Sequence, residues 1–75
     1  MSLDEALWQD SERVSGALCF RGTRIPVSIL FDYLRADGIE EFFAGYPDVT
    51  PEQVEAVLDD SQVGLQERFA VRVAA

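Results

Sequence analysis

The sequence predicts a mainly α fold: a small helix-turn-helix-like domain of three to four helices, preceded by short extended strands. Two observations lead to this fold class. From residue 26 onward, apolar residues recur at helical spacing in three successive segments, which is typical of amphipathic helices. The residues before that point lack the period and contain short apolar runs. At 75 residues the chain forms a single domain, 1–75.

The amino-terminal third, residues 7–25, is expected to contain short strands. Ser15-Gly16 is a turn signal, and the apolar run at residues 17–20 follows it directly. Leu7 and Trp8 offer a partner strand for that run. These residues predict a small extended element ahead of the helices.

The first main helix is expected to begin at Pro26, because proline suits the first helical position. Its inner stripe has the spacing i, i+3, i+4, i+7. That stripe consists of Val27, Leu30, Phe31 and Leu34. Ile29 and Tyr33 form a second, adjacent apolar line, which predicts deep burial or a second contact surface. Asp37-Gly38 is expected to end the helix.

The second helix is short, and its apolar residues repeat the same spacing. They are Ile39, Phe42, Phe43 and Tyr46. Asp37 is expected to cap this helix, with Glu40 three residues later completing a capping box. Gly45 and Pro47 are expected to close it.

The third helix has the clearest start in the chain. Thr50 is the expected N-cap, Pro51 the first helical residue and Gln53 the third, a capping box. Val49 and Val54 occupy the hydrophobic-staple positions. The expected inner face is Val54, Val57, Leu58, Ser61 and Leu65.

Beyond this inner face, Gly64 is a candidate break in the third helix. Residues 61–75 then form either a helical extension or a tail. The two tight connections, at Asp37-Gly38 and at residues 46–49, predict a helix-turn-helix-like order. In that order the helix from Thr50 takes the topological place of the recognition helix.

Composition excludes several kinds of site. The chain contains no histidine and a single cysteine, Cys19, so neither a disulfide nor a zinc site is expected, and no base is present to activate a nucleophile. Neither a cofactor nor a small-molecule substrate is expected, and the protein is not expected to be an enzyme. Without a secretory leader or an apolar run of membrane-spanning length, a cytoplasmic location is expected.

The net charge of −8 bears on nucleic-acid binding, because all six cations are arginines set against fourteen carboxylates. The exposed face of the third helix is expected to be acidic and solvated, and it would repel phosphates. Only Gln53 and Thr50 resemble base readers. If DNA is bound, the arginines must bind it; the candidates are Arg13, Arg21, Arg24 and Arg35.

Packing alone does not explain the run Arg21, Gly22, Thr23 and Arg24. It lacks the glycine spacing and the lysine of a phosphate loop, although its arginines can bind phosphate or carboxylate. The preferred structural interpretation is that Gly22 allows an unusual backbone angle while Arg24 pairs with a local acid such as Asp32.

This run belongs to a longer pattern, Phe-Arg-Gly-Thr-Arg-Ile-Pro-Val at residues 20–27. Shorter matching segments follow in order at residues 32–34, 40–42, 46–47 and 49–54. Over about residues 7–60 the chain resembles the DUF433 family, regarded as VapB-type antitoxins of type II toxin–antitoxin pairs. Two prolines common in that family, near Asp10 and before Gly22, are absent here.

The resemblance implies a homodimer whose partner is a PIN-like ribonuclease toxin, with no catalytic residues to carry over. Arg21, Gly22, Thr23 and Arg24 are the family-defining element, serving either fold support or partner contact. The expected dimer face comprises Trp8, Ile29, Tyr33 and Phe69. Residues 63–75 are expected to dock on the partner. The alternatives are a DNA-binding regulator and a dimeric interaction module unrelated to toxins.

Overall fold

The computed structural model describes residues 1–9 and 16–74, and within them the chain forms four helices and one two-stranded sheet. In chain order the elements are α1 (Leu3–Ala6), β1 (Leu7–Gln9), β2 (Leu18–Phe20), α2 (Val27–Arg35), α3 (Ile39–Gly45) and α4 (Pro51–Ala74). The prediction of a small, mainly α domain with short amino-terminal strands is confirmed.

The amino-terminal strands pair as predicted. β1 and β2 are antiparallel, with Trp8 opposite Cys19 at the centre of the register. Gly16, of the predicted turn, has a φ of 53°, whereas Ser15 lies outside the described residues.

The short helix α1 was not predicted, although its start has a local signal. The Ser2 hydroxyl accepts a hydrogen bond from the Glu5 N–H at 3.3 Å, and the Glu5 carboxylate accepts one from the Ser2 N–H at 3.1 Å. This is a capping box. Helix α1 ends at Ala6, and β1 begins at the next residue.

Helix α2 begins one residue later than predicted. Pro26 is its N-cap and stays extended with ψ at 144°, because it forms an antiparallel bridge with Cys19 of β2. Val27 and Leu30 are buried as expected, but Leu34 is 40% exposed. Placing Leu34 in the core stripe was therefore wrong. The neighbouring Tyr33 packs against the core near the end of α2 instead.

The turn between α2 and α3 is built on Gly38, whose φ is 93°. Its N–H donates to the Tyr33 carbonyl at 2.7 Å, which closes the end of α2. Gly38 is also the N-cap of α3, and no side chain caps that helix. The predicted Asp37–Glu40 capping box is therefore wrong, because α3 starts one residue beyond the position that Asp37 would cap.

The core centres on Phe42 of α3, which is fully buried. Four aromatic rings surround it, with ring centroids 5.4 to 6.0 Å away. They belong to Phe20, Tyr33, Phe43 and Tyr46. Such tilted and edge-on pairs add stability beyond the area that they bury. The predicted inward spacing of α3 is thus confirmed.

Helix α4 begins as predicted. The Gln53 side-chain oxygen accepts from the Thr50 N–H at 2.9 Å, and the Thr50 hydroxyl accepts from the Gln53 N–H at 3.2 Å. Val49 and Val54 are both buried in the core. The start of α4 lies alongside α1.

Gly64 does not break α4. The helix continues for 24 residues, a length of about 36 Å. Val54, Val57 and Leu58 pack on or against the core, but Ser61 and Leu65 are exposed. Their assignment to the inner face was wrong, because α4 extends beyond the body of the domain.

Candidate partner-binding site

The run Arg21 to Arg24, here named the arginine turn, connects β2 to the start of α2. The Thr23 hydroxyl donates to the Phe20 carbonyl at 2.8 Å and accepts from the Ile25 N–H at 3.0 Å. Gly22 has a φ of 83°, a region that side chains disfavour. The predicted unusual backbone angle at Gly22 is confirmed, and Thr23 holds the turn closed.

The arginine turn is also tied to the amino terminus. The Trp8 indole N–H donates to the Thr23 carbonyl at 2.7 Å. The Arg21 N–H donates to the Ala6 carbonyl and its side-chain Nε to the Asp4 carbonyl, both at 2.8 Å. The backbone of the turn is therefore held by contacts from α1 and β1.

A third anchor comes from α4. Gln53 is the one buried polar side chain in the described part of the chain, with 7% of its surface exposed. Its amide nitrogen donates to the carbonyl oxygens of Arg21 at 2.9 Å and Ala6 at 3.3 Å. Gln53 thus links the start of α4 to both the arginine turn and α1.

This position removes Gln53 from the candidate base readers. Its amide is buried and occupied, and the Thr50 hydroxyl is engaged by the Gln53 N–H. Although Gln53 resembles a base reader by residue type, its side chain is engaged inside the domain. Its capping position is visible in the sequence, but its two carbonyl partners lie 32 and 47 residues away. No local pattern could have identified them.

The arginine side chains of the turn point outward. Arg21 and Arg24 are both exposed. Asp32, the predicted partner of Arg24, lies 3.9 Å from Arg35 instead. Across residues 1–9 and 16–74, Arg24 forms no ion pair, so the predicted Arg24–Asp32 pair was wrong. Arg13, another candidate for DNA contact, lies outside the described residues.

The first half of α4 has an acidic face. Glu52, Glu55, Asp59 and Asp60 are all exposed. The first three line a shallow cavity of about 280 Å³ together with Met1 and neighbouring residues. No group of three side chains able to hold a metal ion occurs among the described residues. As predicted, this face is solvated, and it favours a basic partner.

The part of α4 that begins at its ninth residue, residues 59–73, is here named the arm. Every described side chain in it is exposed. Five of these side chains are large and apolar, and they are 50% to 71% exposed: Val63, Leu65, Phe69, Val71 and Val73. Apolar surface concentrated on one projecting element commonly marks an interaction site.

The four residues of the expected dimer face lie on three elements. Trp8 of β1 is half-buried, and its indole is engaged by Thr23. Ile29 and Tyr33 of α2 pack against the chain's own core. Phe69 of the arm is 61% exposed. The second apolar line of α2 thus already has a partner within the chain. Among the described residues, the arm carries five of the eight large apolar side chains that are exposed.

Other chemistry is limited in the described residues. Cys19 is half-buried on β2, and its thiol lies 3.6 Å from the Ala17 carbonyl as a weak donor. No helix in the described ranges has the length and apolar character needed to cross a membrane.

Comparison with known families finds one match. The profile of a family described as "Protein of unknown function (DUF433)" matches residues 9–59. No curated protein and no solved structure matches the chain. The match includes the arginine turn, α2, α3 and the acidic first half of α4. It ends at the first residue of the arm.

Proposed function

The chain belongs to the DUF433 family, and we propose that it is a cytoplasmic antitoxin that binds and neutralises a PIN-like ribonuclease toxin. In this proposal the protein is not an enzyme and acts by covering its partner. The observation that carries the proposal is the arm, whose five large apolar side chains are at least half exposed. A helix with unpartnered apolar residues suits docking in a groove.

The net negative charge of the chain also supports a ribonuclease as the partner. A ribonuclease holds RNA with a basic surface, because phosphates must be neutralised. This chain carries a net charge of −8. Its acidic face and its arm lie on one continuous helix, so an apolar groove beside a basic surface would fit both together.

The arginine turn has a supporting role in this proposal. Its backbone accepts hydrogen bonds from Trp8 and Gln53, and these bonds set how α4 leaves the domain. Arg24, exposed at the surface, is the residue of this family element that we assign to partner contact. The turn therefore positions the arm, and the arm makes the main contact.

Co-expression with a PIN-like nuclease encoded beside this gene tests the proposal. We expect a complex that survives purification and restores growth of cells producing the nuclease. Val63→Glu/Val71→Glu is expected to weaken the complex, because it places charge on apolar contact residues of the arm. Gln66→Glu, at an exposed polar site on the same helix, is the matched control. If the wild-type chain forms no complex with the nuclease and does not restore growth, the proposal is contradicted.

A DNA-binding regulator of its own operon is the second candidate. The order of α2, α3 and α4 is helix-turn-helix-like, and Arg21 and Arg24 are exposed. Against it, the carboxylates of the acidic face would repel phosphates. We expect the free protein to shift promoter DNA weakly and only at low salt. A tight, sequence-specific shift at about 0.15 M salt would favour this second candidate.

A further inference from the structure

The apolar residues of the arm lie on more than one side of the helix. Leu58, Leu65 and Phe69 follow one another at spacings of seven and four, so they form one stripe. Val71 lies about 200° around the helix from Phe69, because successive residues are about 100° apart. A helix that is apolar on two sides is normally covered on two sides.

We propose that the stripe of Leu58, Gln62, Leu65 and Phe69, here named the Phe69 stripe, pairs with the same stripe of a second copy in antiparallel orientation. The intervals along it are four, three and four residues, the spacing of a coiled-coil seam. Leu58 packs against the core, while Leu65 and Phe69 are each 61% exposed. The seam therefore continues from the core onto the arm.

The distribution of charge along the arm favours a second copy as the partner and an antiparallel orientation of the two arms. The arm starts with Asp59 and Asp60, and its other end carries the two cations Arg68 and Arg72 beside one carboxylate, Glu67; all five are exposed. Antiparallel pairing brings the acidic start of each arm near the basic end of the other. Parallel pairing would place like charges side by side, which is unfavourable.

The length of the arm supports the same conclusion. Residues 59–73 span about 22 Å as a helix, and isolated helices of about this length are marginal in water. Pairing would bury the seam of both copies at once. It would leave Val63 and Val71 uncovered, so the pairing uses a side of the arm that differs from the contact tested for the toxin. The inference therefore stands independently of the proposed function.

Light scattering and sedimentation of the purified chain test the pairing. We expect a dimer at micromolar concentration. Phe69→Glu should raise the dissociation constant of the dimer at least about 30-fold, the effect expected for an interface hot spot. Val71→Glu is the matched control, because Val71 is 69% exposed on another side of the same helix. Circular dichroism verifies that both variants remain folded.

Two outcomes would overturn the pairing. One is a wild-type chain that stays monomeric at about 100 μM, a concentration at which even weak specific pairs form. The other is a dimer that Val71→Glu dissociates as much as Phe69→Glu. Neither outcome depends on a toxin, so failure of the pairing and failure of the proposed function are separately observable.

Orientation is tested by a distance between spin labels. In a Cys19→Ser background, Val73→Cys provides one label near the end of each arm, at a side chain that is 71% exposed. Antiparallel pairing places the two labels about 20 Å or more apart, from the rise of 1.5 Å per residue. Parallel pairing places them about 10 Å apart, the usual separation of packed helices. The shorter distance would overturn the antiparallel arrangement.

Discussion

Replacing Gln53 with methionine tests whether one buried amide holds α4 against the arginine turn. The change keeps the length of the side chain and removes its polar atoms. The Ala6 carbonyl keeps the hydrogen bond from the Arg21 N–H at 2.8 Å. The Arg21 carbonyl loses the amide donor 2.9 Å away, and the Thr50 N–H loses its acceptor.

The magnitude follows from these losses. Losing a partly buried hydrogen bond to the Arg21 carbonyl costs about 0.5–1.5 kcal/mol, and losing half of a capping box adds about 0.5–1 kcal/mol. We therefore expect Gln53→Met to lower the free energy of unfolding by about 1–2.5 kcal/mol. A domain of 75 residues has a total of only about 4–11 kcal/mol, so the loss is readily measured.

Urea unfolding followed by circular dichroism provides the measurement. Gln66→Met is the matched control, because Gln66 is exposed on the same helix, and we expect it to change stability by less than about 0.5 kcal/mol. Gln53→Glu adds a pH test. A carboxylate facing two carbonyl oxygens has a raised folded-state pKa. The free energy of unfolding of this variant should therefore be lower at pH 7 than at an acidic pH where the new carboxyl group is protonated.

Equal midpoints for Gln53→Met and Gln66→Met would refute the reasoning. That result would mean that the hydrogen bonds from Gln53 to the arginine turn add nothing to stability. The Trp8 indole and the Thr23 hydroxyl would then suffice to hold the turn.

Three further predictions concern packing, helix stability and pH. Phe42→Ala should lower stability by about 3–5 kcal/mol in thermal melts, since Phe42 is fully buried among four rings; a melting temperature near that of the wild type would contradict the packing. Gly64→Ala should raise helix stability by up to about 1 kcal/mol, seen as more helical circular dichroism; the new Cβ meets only the flexible end of Arg68 at 3.1 Å. The pKa of Glu5 is lowered from 4.5 because the Ser2 N–H and hydroxyl donate to its carboxylate, so its contribution to stability is present above pH 4.5 and is lost as the pH falls through the lowered folded-state value. A carboxyl titration by NMR with its midpoint at or above 4.5 would contradict it.

Local signals were sufficient for several parts of the fold and of the arginine turn. The Thr50–Gln53 capping box, the pairing of β1 with β2 and the backbone angle of Gly22 were all predicted, because each depends on residues close in sequence or on one strong preference. The Ser2–Glu5 capping box was equally local and was missed. The predicted box at Asp37 failed because Gly38 serves the ends of two helices at once.

The sequence by itself determined the family, the charge and every described element except α1, since those depend on residue types and short spacings. Only the tertiary structure decided which side of each helix meets the body. Leu34 and Leu65 continue their stripes by spacing, yet both are exposed, because helical period does not reveal where the body of the domain ends. The partners of Gln53 are equally non-local, since distant backbone carbonyls become neighbours only after folding. The sequence predicted docking by residues 63–75, but only the fold shows that the side chains of the arm are exposed from residue 59 onward.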